Sequence, residues 1–283
     1  MSLIDCHTHT ANSPDGEGTV HQLMKRGAEL GLTALGVSEH VEANRFYSAK
    51  HYNASPRHPF EIFDYADVFE KSMAEISEAK SGGRACPELL CGIELGQPYA
   101  DYNLSESIIS DARLDYVIAS AHELTDTGKF MDFAFVNYTV ENAYTYVEQY
   151  FERVYDMCCW GKFDILGHLT YPLRYIVGTF GIDLDLSEFD YIIAEIFKKL
   201  AENGCALEIN TSGLRQLYGN TFPTPKYVKM YKNLGGELLT IGSDAHRAGD
   251  LGKGIKDGTE IALAAGFSHL CFFRKRKAIF LKI

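Results

Sequence analysis

What this chain lacks narrows it first. No apolar stretch approaches the ~18 residues that a membrane helix needs, so a spanning segment is not expected. The seven cysteines are scattered, odd in number and without a CxxC pair, and the adjacency of Cys158 and Cys159 disfavours a bridge between them. Such usage reads as free, mostly buried thiols in a reducing compartment. The first residues run directly into Asp5 and His7, leaving no room for a cleavable leader, and the expected location is cytoplasmic. Basic blocks are missing apart from Arg274 to Lys277, and the formal net charge is −11 with histidine neutral. A nucleic-acid partner, which calls for a basic stripe, is therefore not expected. A small anion stays admissible where metal ions or arginines reverse the local field. There is no internal repeat and no low-complexity linker, so residues 1–283 read as a single domain. Nothing in the chain speaks to its oligomeric state.

What is present is an alternation. A short apolar run ends in polar residues and an amphipathic stretch follows, seven times over. The runs are Leu3 to His7, Ala34 to Ser38, Glu88 to Ile93, Tyr116 to Ser120, Phe163 to Leu166, Cys205 to Ile209 and Leu238 to Ile241. A helix-like segment runs from Thr19 to Leu30 and stops at Gly31, and helical periods are clearest over Phe60 to Ala79, Val140 to Cys158 and Leu186 to Asn203. This pattern predicts an α/β fold with a parallel sheet, closed as a barrel or doubly wound. Val41 to Pro59 and Glu123 to Tyr138 are long for strand-to-helix loops, and such loops commonly wall a site. Ser268 to Ile283 reads as a final strand or hairpin with a solvated basic turn.

The histidines carry the chemistry. His7, His9, His40, His122, His168 and His246 all fall at or just past the C-terminal ends of predicted strands, as do Glu94 and Asp244. In a parallel barrel those positions converge on one mouth. A lone strand histidine is usually a satisfied core residue, but random placement would scatter six of them over helices and loops. His7 and His9 are two apart, so on an extended strand they face the same way and can clasp one ion; Asp244 and His246 repeat the spacing. Imidazole mixed with carboxylate suits zinc, iron or manganese better than magnesium. Glu94 is the candidate shared carboxylate between two ions. Asp15, in Ser13-Pro14-Asp15-Gly16, is equally a further ligand or a plain turn residue.

Asp5 with His7-Thr8-His9, then Ser38-Glu39-His40, Gly92-Ile93-Glu94, Ser120-Ala121-His122, Gly167-His168 and Ser243-Asp244-Ala245-His246, resemble in order the successive motifs of the polymerase-and-histidinol-phosphatase (PHP) superfamily. The resemblance spans nearly the whole chain. It implies a distorted seven-stranded, TIM-like (βα) barrel with a centre of two to three divalent ions. By motif, His7, His9, Glu94 and Asp244 would hold one ion; Glu94, His122 and His168 a second; Asp15, His40 and His246 a third. Several members of the superfamily carry histidine at the position of Asp15.

Four segments resemble the histidinol-phosphate phosphatases within that superfamily: Ser13 to Gly16, Asp115 to His122, Phe163 to His168 and Glu208 to Gly213. A small phosphate monoester, L-histidinol phosphate, is then the expected substrate. Arg174 and Arg215, each following a strand end, are candidates to grip phosphate oxygens, with Arg247 as a third. The implied nucleophile is a metal-bound hydroxide, with Asp244 or His246 as acid or base. Cys6 and Ser243 read as packing or supporting residues. Asp101, Tyr102, Glu123 and the Arg45 to His58 segment are candidates for the alcohol part of the substrate. The alternative within the superfamily is a phosphodiesterase or nucleotide phosphatase. A non-catalytic relative would show a broken ligand position, and none is broken here. A metal-dependent amidohydrolase, which also opens on HxH, would need a bridging lysine where this chain has Glu94.

Overall fold

The computed structural model describes residues 3–47, 51, 64–81, 86–126 and 129–283. In chain order the elements are β1 (Leu3–Asp5), α1 (Val20–Leu30), β2 (Leu32–Glu42), α2 (Tyr65–Ser81), β3 (Glu88–Gly96), α3 (Tyr102–Ile109) and β4 (Tyr116–Ser120). A hairpin of β5 (Glu123–Asp126) and β6 (Lys129–Asp132) follows, then α4 (Val140–Trp160), β7 (Ile165–Leu166), α5 (Asp190–Asn203) and β8 (Ala206–Asn210). The chain ends with α6 (Pro225–Asn233), β9 (Leu239–Gly242), α7 (Ile255–Ala265), β10 (His269–Arg274) and β11 (Lys277–Lys282).

The first, second, third, fourth, seventh, eighth and ninth strands lie side by side in that order, every neighbouring pair parallel. The last returns to the first. Cys6 N–H donates to Ile241 O at 3.0 Å, Asp244 N–H to His7 O at 2.8 Å and His9 N–H to Ala245 O at 2.9 Å. The expected seven-stranded α/β barrel is therefore what the chain forms. No described helix is long and apolar enough to cross a membrane, and all seven cysteines are free, five of them buried.

Local chemistry sets the helix ends. Thr19 Oγ1 accepts from Gln22 N–H and Gln22 Oε1 accepts from Thr19 N–H, a reciprocal cap that starts α1. Thr139 and Asn142 do the same for α4. The barrel interior is filled below the mouth by the Tyr116 ring. A methyl group at Gly36 would sit 2.2 Å from the Tyr116 hydroxyl, and one at Gly92 2.2 Å from its Cζ. Those two strands thus carry no side chain where the ring crosses them, and Tyr116 floors the site above.

Several elements differ from expectation. The second strand does not stop at Ser38 but runs through Glu42, paired with β3 so that His40 and Glu94 are direct partners. The expected 41–59 loop therefore begins inside a strand; its remainder from 48 on, apart from 51, lies outside the described residues. Within 123–138 the structure has the β5–β6 hairpin and a 3-10 turn at Phe133–Phe135. The helix expected from Leu186 splits into a 3-10 turn, Leu186–Phe189, started by the Asp185 side chain, and α5. The expected helix start at Phe60 lies outside the described residues; Asp64 is in no element and α2 begins at Tyr65.

The terminal hairpin is present, but its basic turn is not simply solvated. Arg274 forks onto Glu88, with Nε donating to Oε1 at 2.6 Å and Nη2 to Oε2 at 2.5 Å. Lys275 N–H donates to Asp115 Oδ1 at 3.1 Å, and Arg276 pairs with Asp164. Those carboxylates lie at or just before the starts of β3, β4 and β7, so the turn closes the end of the barrel opposite the histidines.

Candidate metal centre

Glu94 is the hub. Fully buried on β3, it sets Oε2 2.9 Å from His40 Nδ1, 3.3 Å from His7 Nε2 and 3.6 Å from His9 Nε2. Its Oε1 lies 2.7 Å from His168 Nε2 and 3.0 Å from His122 Nε2, and also accepts from Ser120 Oγ at 2.7 Å. Burial alone would push this carboxyl up, but His7, His122 and His40 hold it well below the usual range. Asp244 completes the first group, Oδ1 lying 3.3 Å from His9 Nε2 and 3.8 Å from His7 Nε2. The backbone at Asp244 is left-handed, with φ 53°, and its N–H donates to His7 O. A non-glycine residue there costs of order 1–3 kcal/mol, a strain that recurs at functional sites.

Asp15, His40 and His246 form the outer group. Asp15 Oδ1 is 3.6 Å from His40 Nε2, and Oδ2 is 3.2 Å from His246 Nε2. The mouth partly desolvates Asp15, which opposes its charge, but His40 and His246 draw the 40% exposed carboxyl below the usual range. Asp15 does lie in a turn, and that turn sets its carboxyl beside His40 and His246. His9 stacks against both His40 and His246, ring centroids 4.3 and 4.2 Å away. Burial, with those two imidazoles beside it, lowers His9 to about 3. Burial opposes charge on His40 as well, but Glu94 and Asp15 outweigh it and raise His40 to about 9.

All nine sequence-predicted ligands thus meet at one mouth. Atoms of three overlapping sets lie within 4.8 Å of one another: His7, His9 and Glu94; His9, His40 and His246; His40, Glu94 and His122. Buried His7 Nε2, His9 Nε2, His40 Nδ1 and Glu94 Oε2 make no well-aligned hydrogen bond, the 2.9 Å approach of His40 Nδ1 to Glu94 Oε2 included. Leaving such atoms unpaired is costly, and a divalent cation among them is what their donor chemistry fits.

Of the arginines, Arg215 follows β8 and donates Nη2 to Ser243 O at 2.8 Å and to Asp244 O at 3.3 Å, while its buried Nη1 has no partner. Arg174 opens the helical turn Arg174–Thr179. The two share a cleft with Asp15, Asp244 and His246. Arg247 points away; it pairs with Glu17 at 3.1 Å on the surface and lines neither cavity of the mouth. Among the loop candidates, Arg45 and Glu123 pair with each other on the cavity wall. Asp101 instead caps α3 and Tyr102 stacks on Trp160, both outside the cavity. Residues 48–50 and 52–58 of the Arg45 to His58 segment lie outside the described residues. Cys6 is buried, and burial pushes its thiol up, which suits packing rather than attack. Ser243 N–H donates to Asp5 Oδ1 at 2.8 Å.

Sequence reasoning missed four residues. Glu42 Oε1 lies 3.1 Å from His122 Nδ1; two residues past His40 on one strand, it shares His40's face, a signal that was available. Glu208 reaches His7 Nδ1 at 2.8 Å. Tyr171 packs on the His168 ring at 4.8 Å, and Asp132 lines the cavity wall; only the fold brings these two in.

The PHP domain family profile matches residues 5–212. A probable histidinol-phosphatase of Thermotoga maritima is 28% identical over 257 residues, covering 90% of this chain and 89% of that protein. The histidinol-phosphatase of Lactococcus lactis subsp. lactis is 25% identical, covering 98% and 96%. A crystal structure of histidinol phosphate phosphatase from Lactococcus lactis subsp. lactis, in complex with zinc, L-histidinol and phosphate, is similar with a TM-score of 0.77. It is 23% identical and covers 98% of this chain and 99% of its own, a likeness of fold.

Proposed function

We propose, from the premise that the chain belongs to the PHP domain family, that it is a metal-dependent phosphoric monoester hydrolase acting on L-histidinol phosphate. It releases L-histidinol and phosphate, as in histidine biosynthesis. The observation that carries this is the ring of buried, unpartnered nitrogen and oxygen atoms around Glu94. The names of the relatives, matched over most of their length, support the substrate.

Two ions fit the inner groups: one at His7, His9, Glu94 and Asp244, the other at Glu94, His122 and His168. Zinc, iron and manganese all suit these donors, and the zinc of the similar crystal structure favours zinc. A third position falls to Asp15, His40 and His246. Such ions, when bound, supply Lewis-acid charge neutralisation and a nucleophile at neutral pH. The chain's own residues do the rest. Arg215, anchored through Nη2 on two carbonyls, presents Nη1 to a phosphate oxygen, and Arg174 faces the same cleft. With the third position empty, His246 holds the proton for the departing alkoxide at Nε2. Burial disfavours its charge, but Asp15 and Asp244 raise it above the ordinary histidine value. With that position filled, Asp244 remains as a base only: burial would raise its carboxyl, but His7, His9 and His246 hold it well below the usual range. Free thiols suit a cytoplasmic setting, and residues 1–283 act as one domain.

The test is metal analysis of the purified chain together with turnover of L-histidinol phosphate and of bis-p-nitrophenyl phosphate. Bound divalent metal and strong preference for the monoester are expected. Preference for the diester would replace this reading with the phosphodiesterase one.

A further inference from the structure

Glu208 lies inside the barrel on β8, fully buried, and touches two different ligand-bearing strand ends. Its Oε1 is 2.8 Å from His7 Nδ1. Its Oε2 accepts from the backbone N–H of His168 at 2.7 Å and from Asn210 Nδ2 at 3.2 Å. Two of these partners are obligate donors, and His7 must donate as well if its Nε2 is to be left as a lone pair. Only an acceptor-only group satisfies all three, and a carboxylate is one. The neighbouring strand is cut away to admit the pair. A methyl group at Gly242 would lie 2.3 Å from Glu208 Oε1 and 2.3 Å from His7 Cβ.

We propose that Glu208 is the positioning residue of the metal centre: it fixes His7 with its proton on Nδ1 and holds the His168 backbone, so that both rings present Nε2 to Glu94. This rests on the metal-centre reading above. It accounts for the arrangement of unpaired atoms, since His7 Nε2 is free because Nδ1 is engaged. Glu208 also couples the two inner groups, one oxygen serving a residue of each.

Glutamine at this position is nearly isosteric but has one acceptor and one donor. The amide oxygen must stay with His168 N–H and Asn210, so the NH₂ group faces His7 Nδ1. His7 is then driven to the other tautomer, with a proton on Nε2 aimed at the centre.

The experiment uses the full chain, wild type and Glu208→Gln, loaded with zinc, which is diamagnetic. Zinc affinity is read by chelator competition, histidine tautomers by ¹⁵N–¹H correlation, and folding by circular dichroism. The expected result is a folded variant with zinc bound about 10- to 100-fold more weakly, the His7 Nδ1–H signal lost at sub-saturating zinc, and both occupancy and that signal restored at higher zinc. A folded variant with wild-type zinc affinity, or with an unchanged His7 tautomer at sub-saturating zinc, overturns the proposal. Should Glu208→Gln fail to fold, Glu208→Asp decides: it keeps the charge but is one methylene short of spanning both partners, so the same weakening is expected and wild-type affinity refutes. A wild-type chain that holds no zinc overturns the metal centre and this role together. Zinc binding without histidinol phosphate turnover sinks the substrate assignment alone.

Discussion

Replacing Arg215 separates holding the phosphate from holding the ions. In the structure its guanidinium has one engaged terminal nitrogen and one without a partner. Nη2 ties down the carbonyls of Ser243 and Asp244, next to the left-handed backbone of Asp244. Nη1 is buried with no partner, and the residue lines the cleft that Arg174, Asp15 and His246 share. A hydrogen bond to a charged group contributes about 1.5–3 kcal/mol. At about 1.4 kcal/mol per factor of ten, losing the bond from Nη1 to phosphate lowers kcat/KM by roughly 10- to 150-fold. Lysine has a single terminal nitrogen, so Arg215→Lys can serve the carbonyls or the phosphate but not both at the arginine geometry. The assay is steady-state turnover of L-histidinol phosphate by metal-saturated enzyme, with inhibition by inorganic phosphate measured alongside. Both Arg215→Lys and Arg215→Ala should weaken phosphate inhibition by the same factor that kcat/KM falls, at unchanged metal content. Unaltered phosphate inhibition in a folded, metal-loaded variant would refute the assignment. Loss of metal instead would show that the grip on the Asp244 carbonyl is the residue's main task.

Other perturbations read different parts of the molecule. His9→Ala should abolish turnover with the fold intact by circular dichroism; retained activity and metal content would sink the centre. Arg247→Ala removes only an exposed pair with Glu17, worth about 0–1 kcal/mol, and kcat/KM should stay within about twofold; a larger fall would return Arg247 to the site. Arg276→Met strands the Asp164 carboxyl, whose side chain is 8% exposed. A fully buried broken pair costs 3–5 kcal/mol; with Arg276 30% exposed, about 2 kcal/mol is expected. Thermal scanning should show Tm down by about 4–8 °C with unchanged kinetics, and an unshifted Tm would refute the latch. Zinc affinity should fall as pH is lowered from about 9 to 6. The sign follows from His40, raised to about 9, and from His7 and His122, held above the ordinary value by their carboxylates against burial. Each must shed its proton to ligate, so binding releases protons and acid competes. Chelator competition across that range checks it, and a flat profile would refute it.

The candidate ligands were legible because a parallel strand has a simple rule: alternate residues share a face, and strand ends share a mouth. His7 with His9, and Asp244 with His246, needed nothing more. The second strand was misjudged at its end because its last residues carry charge. Glu39 is buried, accepting from Thr10 and from Ser13 Oγ, and Glu42 is buried against His122 and Gln97. Buried carboxylates read as loop residues until their donors are known, and those donors come from the segments that follow other strands. The basic turn failed for the same reason at longer range. Arg274, Lys275 and Arg276 meet Glu88, Asp115 and Asp164, which lie 186, 160 and 112 residues away in the chain. Local composition says that such a turn is charged; it says nothing of whom it will meet.

An acidic chain with formal charge −11 has to admit a phosphate dianion beside Asp15, Glu94 and Asp244. The arginines alone do not reverse that field, since Arg215 spends half of its guanidinium on backbone carbonyls. Protons on His7, His40 and His122 offset the carboxylates in the metal-free protein, and divalent ions that displace those protons bring more charge to the same atoms. Anion affinity at this mouth is therefore tied to ion occupancy. By linkage the tie is reciprocal: whatever factor zinc adds to the affinity for phosphate, phosphate adds to the affinity for zinc. The histidines around Glu94 and the arginines of the adjoining cleft are on this view one binding device, with Asp244 as the joint between them, touching His9 through its side chain and Arg215 through its carbonyl.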